Sequence, residues 1–150
     1  MMTNSQFVYV TYIRTTPERL WAALTSPEFM KQYWSGTHFD SEWKTGSSWR
    51  MVLRDGRVAD AGDVVEVDPP KRLVLRWRHE LRPELKSEGY SFCTMELEPM
   101  ASAVKLTITH MMDRAESKLI EAVADGWPRI LSNLKSLLET GKTALTMEGR

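Results

Sequence analysis

Cysteine is nearly absent. The chain holds a single one, Cys93, so no disulfide can close within it and a reducing compartment is the simplest setting. Net charge is absent as well: 20 basic side chains stand against 20 acidic ones. No overall field is available to hold a polyanion, which argues against nucleic acid as a partner. Long apolar runs are missing too. None approaches the roughly 20 residues that span a bilayer, so no membrane insertion is expected. The opening Met1-Met2-Thr3-Asn4-Ser5-Gln6 has no basic region followed by an apolar run and does not read as a signal peptide. These absences together point to a cytoplasmic protein.

Signatures of chemistry are equally scarce. No paired cysteines and no close histidine pair offer metal-ligand spacing. No serine lies in a nucleophile-elbow context. No glycine-rich run could cradle a phosphate, since Gly46 and Gly56 read as turn glycines. The sequence therefore implies no cofactor and no metal, and nominates no catalytic residue. Three histidines remain, His38, His79 and His110, each able to act as a general acid or base near neutral pH. The hydrogen-bonded structural role is the expected one for each. His110, on the apolar parity of its strand, is the one that could face an interior cavity. Cys93 is expected on an inner strand face, where a thiol is inert.

What is present is a chain of 150 residues, 42% apolar and 27% charged, the range of one globular domain with a real core. Phe7 to Ile13 is rich in β-branched and aromatic residues and predicts a strand. Thr16-Pro17-Glu18 then starts a helix: Thr16 can cap, Pro17 loses nothing at the first helical position, and Glu18 suits the positive end of the dipole. Ser26-Pro27-Glu28 repeats the signal and predicts a second short helix to Tyr33 or Trp34. From Thr37 to Met112 the period is two. Strands are expected over Phe39–Trp43, Ser48–Arg54, Val58–Val67, Arg72–His79, Gly89–Glu98 and Ala103–Met112, with a hairpin turn at Asp55-Gly56 and a charged loop without regular structure over Arg82–Glu88. Lys71, Arg72, Arg76 and Arg78 read as the solvated face of a strand. Glu66 shares the parity of Gly62 and Val64 and would need a partner if it points inward. Leu119, Ile120, Val123, Trp127, Ile130, Leu131, Leu134, Leu137 and Leu138 recur at spacings of three and four. They predict one long amphipathic helix from about Arg114 to Thr140, closed by Gly141, with a kink or break near Trp127 from Gly126 and Pro128. Lys142 to Arg150 reads as a loose tail.

Seven strands with short connections favour antiparallel pairing. One half-wet sheet and one apolar helix face must bury each other, and the sheet is wider than the helix, so it must curl around it. The expected class is α+β. A curled sheet gripping a rod does not close perfectly at both ends, and the space left is either filled by large side chains or kept as an apolar pocket. The residues expected to line such a pocket are Trp34, Trp49, Met51, Leu75, Trp77, Cys93, Met95, Ile108, His110, Trp127 and Leu131. Buried indoles need partners for their N–H groups, which suits a site with some polar content, and plain core packing accounts for them equally well.

The order of these elements resembles the START-like (SRPBCC) superfamily, in its activator-of-heat-shock-ninety-ATPase-like branch. The resemblance rests on the run from Thr16 to Glu28, then Tyr33-Trp34 and Gly36; on Gly62, Val64 and Glu66 before Pro69-Pro70; on Leu73 to Trp77; and on Thr109-His110 with Gly126-Trp127 leading into Leu131, Leu134 and Leu138. It implies the helix-grip fold over about residues 6–140 and an internal cavity for lipophilic or polycyclic molecules. It carries little about activity. The eukaryotic co-chaperones of this branch bear an additional N-terminal domain for which this chain has no room, so their action on the chaperone is not carried over. Three functions stay open: binding of a small lipophilic or aromatic molecule, a cyclase- or hydrolase-type enzyme using the same cavity, and a protein-partner module or homodimer.

Overall fold

A computed structural model describes residues 4–146. The elements run β1 (Ser5–Ile13), α1 (Pro17–Thr25), α2 (Pro27–Tyr33), β2 (His38–Ser41), β3 (Ser48–Val52), β4 (Val58–Asp68), β5 (Arg72–His79), α3 (Pro83–Lys86), β6 (Ser91–Pro99), β7 (Val104–Met112) and α4 (Lys118–Thr140). All strands join one antiparallel sheet in the order β1-β7-β6-β5-β4-β3-β2. Strands β2 to β7 form a meander. β1 lies beyond β7 at the opposite edge from β2, so α1 and α2 carry the chain from one edge of the sheet to the other. The α+β helix-grip arrangement expected from the periodicity is the one observed.

The period-two pattern sets the core. On β7, Val104, Leu106, Ile108, His110 and Met112 point inward, and α4 lays Trp127, Ile130, Leu131, Leu134 and Leu138 against the sheet. Each fully buried aliphatic side chain contributes about 1.5–3 kcal/mol relative to exposure. On the outer face of β5 the arginines are paired: Arg72 with Glu66 and Glu96, Arg76 with Asp63, Arg78 with Glu80. Gly62 is required by packing. A Cβ there would lie 1.7 Å from the carbonyl oxygen of Arg76, the same oxygen that accepts from Trp49 Nε1 at 2.9 Å.

Several local readings are resolved or corrected. Glu66 points outward, because an irregularity between Val64 and Glu66 shifts the register of β4 against β5. This is a β-bulge, and it inverts the alternation beyond it. The segment Arg82–Glu88 is ordered: it forms α3, with Leu85 buried beside Met112, Leu119 and Ile120. Glu88 then caps α4. Its carboxylate accepts from Ser117 Oγ (2.6 Å), Lys118 N (2.8 Å) and Leu119 N (3.3 Å), and Ser117 Oγ accepts from Ile120 N at 3.1 Å. Partial burial opposes ionisation of Glu88, but these donors outweigh it and hold the carboxyl below the usual range. The cap is why α4 begins at Lys118 rather than near Arg114. No break occurs at Gly126 or Pro128. Pro128 forfeits one helical bond, yet the buried side chains on both sides of it keep α4 continuous. β2 ends at Ser41, two residues earlier than expected; Trp43 has positive φ, and its indole donates to the Thr25 carbonyl. The tail is tied down as far as Leu145: the Asn133 side chain bonds both its N–H and its C=O. Residues 147–150 of the expected loose tail lie outside the described residues, as does the Met1-Met2-Thr3 opening. Among the described residues no helix is long and apolar enough to cross a membrane.

Candidate functional site

The sheet and α4 stay apart at the end where β4 begins and β5 finishes. An open cleft of about 280 Å³ lies there, between the starts of β4 and α4, the end of β5, and α3. This is near the lower end of the roughly 300–1,000 Å³ of typical ligand sites. Trp34, Met51, Trp77 and Trp127 supply the aromatic and sulfur-bearing wall. Leu85, Leu119, Val123 and Ile130 face them, and Asp60, His79 and Arg82 bring the polar groups. The indoles meet edge to face, Trp34 to Trp127 at 5.6 Å and Trp77 to Trp127 at 5.9 Å between ring centroids. A larger depression of about 610 Å³ beside the starts of β1 and α4 has no tryptophan or histidine in its lining.

The polar groups of the cleft form a defined set. Register places Asp60 on β4 directly opposite His79 on β5, and Gly62 opposite Trp77. All four therefore share the inner face, because side chains alternate along a strand. Asp60 Oδ1 accepts from Trp77 Nε1 at 3.1 Å and bonds His79 Nδ1 at 3.0 Å. A carboxylate oxygen can only accept, so His79 Nδ1 carries the hydrogen. Nε2 is then the free nitrogen. It is buried and has no hydrogen-bond partner among the described residues. Arg82 stands at the same wall and pairs with Glu84 at 2.8 Å.

Four of the eleven sequence-predicted site residues line this cleft: Trp34, Met51, Trp77 and Trp127. The structure places Trp49, Leu75, Cys93, Met95, Ile108, His110 and Leu131 in the packed core between sheet and α4. Burial pushes the Cys93 thiol well above its ordinary range. His110 is fully engaged. Trp127 Nε1 donates to its Nδ1 at 3.3 Å, so Nε2 bears the hydrogen and donates to Ser91 Oγ at 2.9 Å. Ser91 in turn donates to the Trp77 carbonyl at 3.0 Å. Burial drives the His110 pKa down to about 3. A histidine whose serine-facing nitrogen is already a donor cannot draw a proton from that serine, so Ser91 and His110 are not a nucleophile pair. His38 opens β2, away from the cleft.

Asp60, Arg82, Leu85, Leu119 and Val123 were not anticipated. One signal existed for Asp60: it stands two residues before Gly62, a carboxylate on what would become an inner face. Its partner was hidden by the bulge. Counted back from the Asp68–Arg72 pair without the extra residue, the register would set Ala61 opposite His79; with it, Asp60 takes that place. Among the described residues no group of His, Cys, Asp and Glu is arranged to hold a metal ion.

Comparison with known proteins follows the fold. A solved protein from Mesorhizobium loti superposes with a TM-score of 0.76 at 24% identity, covering 90% of this chain and 97% of that one. The Aha1 dimer from Colwellia psychrerythraea gives 0.72 at 19% identity, over 92% and 98% of the two chains. An Hsp90 activator from Plasmodium falciparum gives 0.72 at 22% identity, over 89% and 96%. These likenesses establish the shared fold. No curated protein matches the sequence. The family model described as activator of Hsp90 ATPase homolog 1-like protein matches residues 14–139. On that match, which spans most of the core from the end of β1 to the end of α4, the chain belongs to the activator of Hsp90 ATPase homolog 1-like family, within the START-like superfamily.

Proposed function

We propose that this chain, acting as one cytoplasmic START-like domain, binds a small aromatic or lipophilic molecule in the cleft between β4, β5, α3 and α4. The observation that carries the reading is the convergence of Trp34, Trp77 and Trp127 on one open apolar space. Flat aromatic walls bind planar ligands by stacking and edge contacts, and an open mouth lets the ligand enter without unfolding. Burying roughly 150 Å² of apolar ligand surface at about 25 cal/mol/Å² supplies close to 4 kcal/mol before association costs. That favours weak to moderate affinity and a ligand of one or two rings. The seven core residues of the predicted set then act as the rigid frame behind the wall. Native mass spectrometry of the protein purified from its own host tests this. A retained small molecule, lost when Trp127 is replaced by Ala, is the expected result. A bare protein mass that no aromatic compound shifts would remove the proposal.

A second reading, a protein-partner or self-association surface, is favoured by one observation. Val8, Val10 and Tyr12 stand exposed on the outer face of the edge strand β1, with Phe92 exposed on β6. Related proteins include an Hsp90 activator and a dimer. Sedimentation equilibrium of wild type against Val10→Lys tests it: a dimer abolished by the lysine supports this second role, and a monomer throughout removes self-association.

A further inference from the structure

One residue of the cleft lining carries a buried nitrogen that nothing among the described residues engages. His79 Nδ1 is committed to Asp60, and Asp60 Oδ1 is itself held by the Trp77 indole. The imidazole cannot turn without breaking its contact with Asp60, whose carboxylate the Trp77 indole holds in place. Nε2 is thereby held buried, without a partner among the described residues, on a side chain that lines the cleft. A buried polar atom left unbonded costs about 1–3 kcal/mol, and none of the other cleft side chains bonds it. The His110 ring, by contrast, uses both nitrogens.

We infer that His79 Nε2 is the polar anchor of the cleft, and that the ligand class is an aromatic compound bearing an acidic hydroxyl, a phenol or an enol, whose oxygen bonds that nitrogen. This rests on the cleft being the ligand site. The hydroxyl is selected because its oxygen suits the dyad in either protonation state. With neutral imidazole the O–H donates to Nε2. If the proton crosses, the O–H bond breaks with its electron pair left on oxygen, an N–H bond forms on Nε2, and the imidazolium then donates to the oxyanion while Asp60 balances the charge at Nδ1. An ether or a plain hydrocarbon can do neither. The aromatic half of the ligand meets Trp34, Trp77 and Trp127 while the oxygen reaches past Trp77 to His79. Because Nε2 is shut off from bulk water, the bond forms in an environment where hydrogen bonds are stronger than in solvent.

The test compares 2-naphthol with 2-methoxynaphthalene, which keeps the rings and lacks the donor. Binding is read by quenching of tryptophan fluorescence, and naphtholate absorption reports proton transfer. Wild type should bind 2-naphthol about five- to tenfold more tightly, the range of one net hydrogen bond, although the ether is the more apolar compound. In His79→Asn, the shorter amide keeps the donor to Asp60 and removes Nε2, so the ratio of the two affinities should fall to about one. Equal binding of both compounds by wild type would overturn the anchor and leave the cleft reading standing. A naphthol preference that survives in His79→Asn would also overturn it. Failure of both compounds to bind wild type would take down the cleft reading and the anchor with it.

Discussion

His79 and His110 stand two strands apart on the same inner face, each tied to Trp77, and they have opposite fates. Trp77 packs edge-on against the His110 ring at 4.9 Å, and its carbonyl receives the Ser91 hydroxyl that His110 also bonds. Its indole N–H meanwhile donates to the carboxylate that holds His79. His110 spends both nitrogens on protein groups and becomes part of the core. His79 spends one and keeps the other at a cleft. A histidine's availability therefore depends on whether its second nitrogen has a partner, more than on how deeply the ring is buried.

The most forceful way to break this comparison is to remove what joins the two regions. Trp77→Ala should cost about 4 kcal/mol in chemical denaturation, by cavity formation and loss of the indole's bond to Asp60. A loss under about 1 kcal/mol would show that the two histidines are not coupled through this ring. Next is pH. His110 in the folded state has a pKa depressed to about 3, far below the unfolded histidine value near 6.5. Below about pH 6.5 the unfolded chain takes up a proton that the folded chain refuses, so stability is complete above that pH and is lost as pH falls toward 3. The loss approaches about 1.4 kcal/mol per pH unit, on the order of 3 kcal/mol by pH 4.5. His110→Asn should be less stable at pH 8, yet lose that slope; identical slopes in the two proteins would refute the assignment. Glu88 and Glu139, both held below the usual carboxylate range, add their own loss only at lower pH.

Asp60 sharpens the comparison from the other side. Asp60→Leu leaves the Trp77 and His79 N–H groups without their acceptor and should cost about 2–3 kcal/mol. Asp60→Asn keeps an oxygen for both and should stay within about 1 kcal/mol of wild type. Equal losses in the two variants, measured by urea midpoint, would mean that bulk rather than the acceptor matters at this position. The smallest effect is reserved for His79→Asn. Replacing a ring whose second nitrogen has no partner among the described residues should change stability by under about 1 kcal/mol, and a larger loss would place His79 in the core alongside His110.

Much of this was readable residue by residue. The Thr16-Pro17 and Ser26-Pro27 starts, the inward row of Val104, Leu106, Ile108 and His110, and the apolar stripe of α4 are local patterns with a period, and local patterns survive folding. Trp34, Met51, Trp77 and Trp127 could be placed near a cavity because large apolar side chains on inner parity have few other places to go. Asp60 and Arg82 could not, because their role depends on strands and loops distant in sequence. The Arg82–Glu88 segment looked unstructured for a related reason: Glu88 acquires its purpose only when it meets the free N–H groups of α4.

The sequence by itself determined the element order, the inner and outer faces of most strands, and the wrapping of one sheet around one helix, because each follows from hydrophobic periodicity and chain geometry over a few residues. Tertiary structure alone decided where the space lies and which histidine is available to it. The single extra residue between Val64 and Glu66 moves Asp60 rather than Ala61 opposite His79, and strand register, summed over a whole hairpin and altered by one bulge, is not written in any local period.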